Sequence, residues 1–106
     1  MRGAVFMVTN EANTTIDALD QVSHLFKLMG HPKRLQLLYL LIQQSMTVSQ
    51  ISERLKWEQS AVSHQLQVLR KYQIVERVKH GRQVVYRLVD PLVMGIIADV
   101  VNEIRK

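Results

Sequence analysis

The 106-residue sequence predicts a mainly α-helical fold with one β-hairpin, in the order α-α-α-α-β-β-α. Three observations carry this. Apolar residues recur at three- and four-residue spacing on both sides of residues 74–88, the signature of amphipathic helices. Within 74–88 the pattern turns to β-branched, extended runs around a single glycine. Hydrophobic residues make up 47% and charged residues 22%, and that composition at this length supports one hydrophobic core rather than two.

Residues 1–13 lack periodicity and are expected to form a flexible arm, leaving 14–106 as the folded domain. Order is expected from about Thr15, where Ile16, Leu19, Val22, Phe26 and Met29 form the stripe of a first helix that Gly30 is placed to end. Pro32 suits the first turn of a second helix, because its missing N–H would have no partner there anyway. Leu35, Leu37, Leu38, Leu40, Leu41 and Ile42 leave that helix little polar face, so it is expected at the centre of the core. Thr47 can cap a short third helix with Val48, Ile51 and Leu55 inward. After a turn at Lys56-Trp57, a fourth helix over about 59–72 buries Val62, Leu66 and Leu69. Two helices joined by so short a turn have the helix-turn-helix outline.

Residues 74–78 and 83–88 read as strands flanking Lys79-His80-Gly81-Arg82, a hairpin with a basic tip in which Gly81 supplies a positive φ. Asp90 and Pro91 then offer a cap and a first-turn residue for a last helix carrying Leu92, Val93, Ile96, Ile97, Val100, Val101 and Ile104. That stripe is two residues wide. An apolar surface of this extent in so small a domain marks an interface, and a symmetric dimer through the first and last helices is expected.

The net charge of +5 is localised. Between Thr47 and Leu88 lie eight basic and three acidic residues, whereas the rest of the chain holds six of each. A positive field confined to one segment is what recruitment of nucleic-acid phosphates requires. With no cysteine, thiolate metal sites, thiol redox sensing and cysteine nucleophiles are excluded. The apolar runs 37–42 and 92–98 are far shorter than a membrane span of roughly 18 residues, and no secretory pattern follows Arg2, so a cytoplasmic protein without a membrane partner is expected.

The string Ser60-Ala61-Val62-Ser63-His64-Gln65-Leu66-Gln67-Val68-Leu69-Arg70 resembles the recognition segment of the ArsR/SmtB family of bacterial winged helix-turn-helix repressors. Residues 26–35 are similar to that family's entry into its second helix, and residues 81–88 to its wing; the likeness covers residues 15–105. It implies a homodimeric repressor that binds an inverted-repeat operator in double-stranded DNA and is released by an effector that the residues do not identify. It places Gln59, Ser60, Ser63, His64 and Gln67 on the major-groove face, where glutamine can pair with adenine and serine with several bases. It places Lys79, His80 and Arg82 of the wing against backbone or minor groove, with Lys33, Arg34, Arg70 and Lys71 as further phosphate contacts. Glu58 departs from the small capping hydroxyl usual at that position.

Ser63 and His64 are adjacent on a helix and point about 100° apart, so they cannot pair as nucleophile and base, and no enzyme activity or cofactor is expected. Many look-alikes sense metals. The thiolate site near the third helix would fall on Ser45, Met46 and Thr47, which cannot replace it. At the other site of the family, between the last helices of the two subunits, Asp90 and Glu103 are weak ligand candidates, while Leu92 and Lys106 stand in place of two imidazoles. Two alternatives stay open: a winged-helix interaction module without specific DNA binding, and a metal-sensing repressor with a modified inter-helix site.

Overall fold

The computed structural model describes residues 9–105, with side chains from residue 14 onward. Residues 1–8 of the expected arm, and Lys106, lie outside the described residues. The chain forms two compact units, Met1–His31 and Pro32–Lys106.

The first unit contains helix α1, Thr9–Met29. It begins well before Thr15, because a helix can be extended by good formers such as Glu11 and Ala12 without adding to the apolar stripe that marks it in the sequence. Ile16, Leu19 and Phe26 are exposed in spite of their helical spacing. The helix closes through Gly30, whose N–H donates to the Phe26 carbonyl at 2.8 Å; a Cβ at residue 30 would stand 3.2 Å from that same oxygen.

The second unit holds α2 (Pro32–Gln43), α3 (Val48–Leu55), α4 (Gln59–Lys71), the antiparallel strands β1 (Val75–His80) and β2 (Gln83–Leu88), and α5 (Pro91–Arg105). Leu37, Leu38, Leu40 and Leu41 of α2 are buried, each contributing about 1.5–3 kcal/mol by transfer out of water. Leu35, expected inward, is exposed, and Ile42 is only half-buried, so α2 keeps a polar face after all. Ile51, Val62, Leu66, Leu69, Ile74, Val75, Leu88, Val93 and Ile97 complete the core of this unit.

Each connection has a local cause. Thr47 Oγ1 accepts from the Gln50 N–H, and Gln50 Oε1 accepts from the Thr47 N–H, a reciprocal capping box at the start of α3. Lys56 ends that helix in the left-handed region (φ 61°, ψ 40°), with its N–H and that of Trp57 both directed at the Ser52 carbonyl. At the end of α4, Gln73 also has positive φ (62°). Its N–H donates to Arg70 O and that of Ile74 to Leu69 O, both at 3.0 Å, the hydrogen-bond pair of a Schellman motif, and Ile74 and Leu69 are both buried. Neither left-handed residue is a glycine, and no pattern in the sequence marks them.

The hairpin strands run through Lys79 and His80, so the loop is only Gly81-Arg82; the basic tip read from the sequence is therefore mostly strand. Gly81 has φ of 61° at the first loop position while Arg82 does not, the pattern of a type II′ turn, whose twist suits a two-residue hairpin. Val75 pairs with Leu88 and Arg77 with Tyr86 in register. A further pairing was not legible in the sequence: Met46 bridges Tyr86, with N–H to carbonyl distances of 3.1 and 2.7 Å in the two directions. In α5, Val93 and Ile97 are buried, but Leu92 is 51%, Val100 50% and Ile104 77% exposed.

Replacing Gln73 with glycine should raise stability by about 1 kcal/mol, because the left-handed penalty of roughly 1–2 kcal/mol is removed and only partly offset by the greater freedom of glycine in the unfolded chain. Thermal unfolding would show this as an increase of about 4–8 °C. Thr47→Ala should move the midpoint down by a similar amount through loss of the cap.

Candidate nucleic-acid interface

The buried residues of α4 define one side of that helix, Val62, Leu66 and Leu69. At 100° per residue, Ser60, His64 and Lys71 fall opposite that side, Gln67 lies beside them, Ser63 stands on the flank, and Gln59 is only about 50° from the centre of the buried stripe. Gln59, Ser60, His64 and Gln67 are exposed and Ser63 is half-buried, so Ser60, His64 and Gln67 share one accessible face, with Ser63 at its edge and Gln59 exposed at the start of the helix. Short hydroxyls and amides there can approach a groove edge closely and offer both donors and acceptors.

Side-chain contacts hold α4 in place. Arg34 Nε donates to Gln65 Oε1 at 2.9 Å, tying the first turn of α2 to the flank of α4. Gln59 Nε2 donates to Ser49 Oγ at 3.3 Å, linking the start of α4 to α3. In the turn between the two helices, Ser52 Oγ donates to the Trp57 carbonyl, and Lys33 Nζ lies 5.6 Å from the centre of the Trp57 ring, a cation–π distance. Lys33 and Arg34, read from the sequence as minor phosphate contacts, thus also brace the helix-turn-helix.

The wing residues Lys79, His80 and Arg82 are all exposed, but they do not share a face. Opposed residues in an antiparallel pair lie on the same side, so Lys79 joins Arg77, Val84 and Tyr86, whereas His80 joins Glu76, Val78, Val85 and Arg87. Glu76 and Arg87 form a cross-strand ion pair on that second side. The first side borders an open cleft of about 370 Å³ between the wing and the first turn of α3, lined by Thr47, Ser49, Arg77, Gln83 and Tyr86 among others. Arg77 and Ser49 were not singled out in the sequence. Strand alternation could have paired Arg77 with Lys79, but the nearness of α3 depends on the Met46–Tyr86 bridge.

At the candidate metal positions, Asp90 Oδ1 accepts from the N–H groups of Leu92 and Val93 at 2.9 and 3.2 Å. This is the N-cap of α5, and it occupies that oxygen. Glu103 lies thirteen residues along the same helix, about 20 Å away. Met46, at the other candidate location, is buried against the core. Among the described residues no group of three or more His, Asp or Glu is placed to hold a metal, and no helix is long and apolar enough to cross a membrane.

Comparison with known proteins agrees with this architecture. The sequence model described as "Bacterial regulatory protein, arsR family" matches residues 31–77. A transcriptional repressor SmtB homolog from Synechocystis is 33% identical over 92 residues, covering 87% of this chain and 70% of that protein. The transcriptional repressor PagR of Bacillus anthracis superposes with a TM-score of 0.72 at 32% identity, covering 80% and 98% of the two chains. A homodimeric winged helix-turn-helix DNA-binding domain from Mycobacterium bovis gives 0.71 at 28% identity, covering 92% and 86%.

Since the Asp90 carboxylate caps α5, Asp90→Ala should cost about 1 kcal/mol of stability, and by the same amount in chelator as in micromolar zinc. Thermal melts of both proteins under both conditions check this. A loss of stability confined to the zinc samples would assign Asp90 to a metal instead.

Proposed function

The chain belongs to the ArsR family of bacterial regulatory proteins, and on that premise we propose that it is a homodimeric transcriptional repressor. It reads duplex DNA sequence-specifically with α4 and leaves the operator when an effector binds. The observation that carries this reading is the exposed polar face of α4, Ser60, His64 and Gln67, set away from its buried stripe, with Ser63 on its edge, Gln59 at the start of the helix and a basic wing beside it in sequence.

The division of labour follows from chemistry. Gln59 and Gln67 can pair with the N6 and N7 edge of adenine, while Ser60, Ser63 and His64 offer single donors or acceptors to base edges. Lys79, Arg82 and His80 approach phosphates or the minor groove from the wing, and Arg77 does so from the cleft beside α3. Lys33, Arg70 and Lys71 add charge at the margins. Such contacts fix position on the duplex without choosing the sequence. The excess of positive charge within residues 47–88 supplies the counterion release that drives association. DNA as the partner implies a cytoplasmic protein.

The dimer rests on the exposed apolar residues of α5. Leu92, Val100 and Ile104 are exposed and Ile96 between them is half-buried, a second stripe at four-residue spacing beside the buried Val93 and Ile97. The exposed Ile16, Leu19 and Phe26 of α1 are a further apolar surface for a second copy. In a two-fold dimer the two α4 helices address half-sites about one helical turn apart.

Selection of bound duplexes from a random pool should return an inverted repeat, and affinity for it should fall with salt by about 0.9 in log–log slope per neutralised phosphate. A slope near zero would reject the DNA-binding reading. Lys79→Ala and Arg82→Ala should weaken all sequences alike, whereas Gln59→Ala and Ser63→Ala should change the preferred bases by about tenfold. For the dimer, light scattering at micromolar concentration should give twice the chain mass. Val100→Asp with Ile104→Asp, both exposed in the single chain, should return a folded monomer.

A further inference from the structure

Glu58 is the N-cap of α4, with the extended backbone of that position (φ −61°, ψ 144°), yet its side chain makes no capping hydrogen bond. Glutamate is one methylene too long for the favoured cap geometry, which suits Ser, Thr, Asp and Asn. The contrast with Thr47, which caps α3 through a complete box, lies within the same motif. Glu58 is exposed, and among the described residues no hydrogen bond or ion pair engages its carboxylate. Against phosphates that carboxylate is repulsive, and its attraction to the helix dipole is weak at an exposed site. Its neighbour Gln59 directs one hydrogen of its amide nitrogen at Ser49 Oγ, and its Oε1 remains an acceptor. The start of α4 therefore presents two adjacent acceptors.

We propose that Glu58 is a specificity-determining residue that accepts a hydrogen bond from the N4 amino group of a cytosine in each half-site. This rests on the DNA-reading function proposed above. The N-terminal residues of a recognition helix are those that reach base edges, and an ionised carboxylate can only accept. In the major groove only cytosine N4 and adenine N6 donate. Adenine carries its N7 acceptor beside that amino group, where it repels a carboxylate. Cytosine carries only a C–H there. Guanine and thymine present acceptors and are rejected, so the same charge that weakens attraction to phosphate acts as a filter on the base.

The test is parallel selection from one random duplex pool with the full chain, Glu58→Gln and Glu58→Ser, with binding titrations at fixed salt and a thermal melt of each protein. The unaltered chain should enrich cytosine at one position of each half-site, with about tenfold weaker binding when that base is changed. Glu58→Gln, which can donate as well as accept, should relax that single position and bind unrelated duplex several-fold more tightly. Glu58→Ser should lose the preference while its melting temperature holds or rises, because serine caps the helix. If all three proteins enrich the same base at every position and differ only by a uniform affinity factor, Glu58 acts through charge alone and the proposal is overturned. If the unaltered chain enriches no sequence, the DNA-reading function fails first, and with it this assignment.

Discussion

Two hydrogen bonds between Met46 and Tyr86 join the wing to the rest of the second unit. They add to the burial of Val75 and Leu88, which seats the base of the hairpin in the core, where a two-stranded ribbon alone would be marginal in water. The bridge falls at the residue before the Thr47 cap, so the same few atoms that anchor β2 also fix where α3 begins. Burial of the Met46 side chain adds an apolar anchor to the backbone pair. The cleft beside Arg77, and the approach of wing and helix-turn-helix to one another, both follow from this junction.

The recognition helix is held by contacts of different kinds at its two ends. Its start is tied through Gln59 to Ser49, and its flank through Gln65 to Arg34. Its end is a Schellman closure that delivers Ile74 into the core and sets the direction of β1. Both turns that bound α4 require a left-handed residue, and both use a long polar side chain, Lys56 and Gln73, in place of glycine. A reader of DNA edges needs such rigidity, because its short side chains lose their contacts if the helix shifts by an ångström.

Charge and apolar surface are separated along the chain. The basic excess lies in residues 47–88, while the exposed aliphatic residues cluster on α1 and α5. A protein that binds a polyanion through one region and its own copy through another requires this separation, since interface cores are depleted in charge and groove-facing surfaces are enriched in it. The chain has no cysteine, and the Asp90 carboxylate accepts the first N–H groups of α5 as its cap.

The sequence by itself determined the seven elements and their order, the burial of Ile51 in α3 and of Val62, Leu66 and Leu69 in α4, the Thr47 and Asp90 caps, and the exposure of Ser60, His64 and Gln67. These are local properties: periodicity, capping chemistry and turn residues act over a few positions, and neighbours in sequence suffice to express them. Only the tertiary structure decided that Met46 pairs with Tyr86, that Arg77 stands beside Ser49, that Arg34 braces Gln65 and that Leu35 faces outward. Each of these depends on where a distant element packs. Lys56 and Gln73 belong to the same class: their left-handed backbones are imposed by the helices and strand they join, and nothing in lysine or glutamine announces a positive φ.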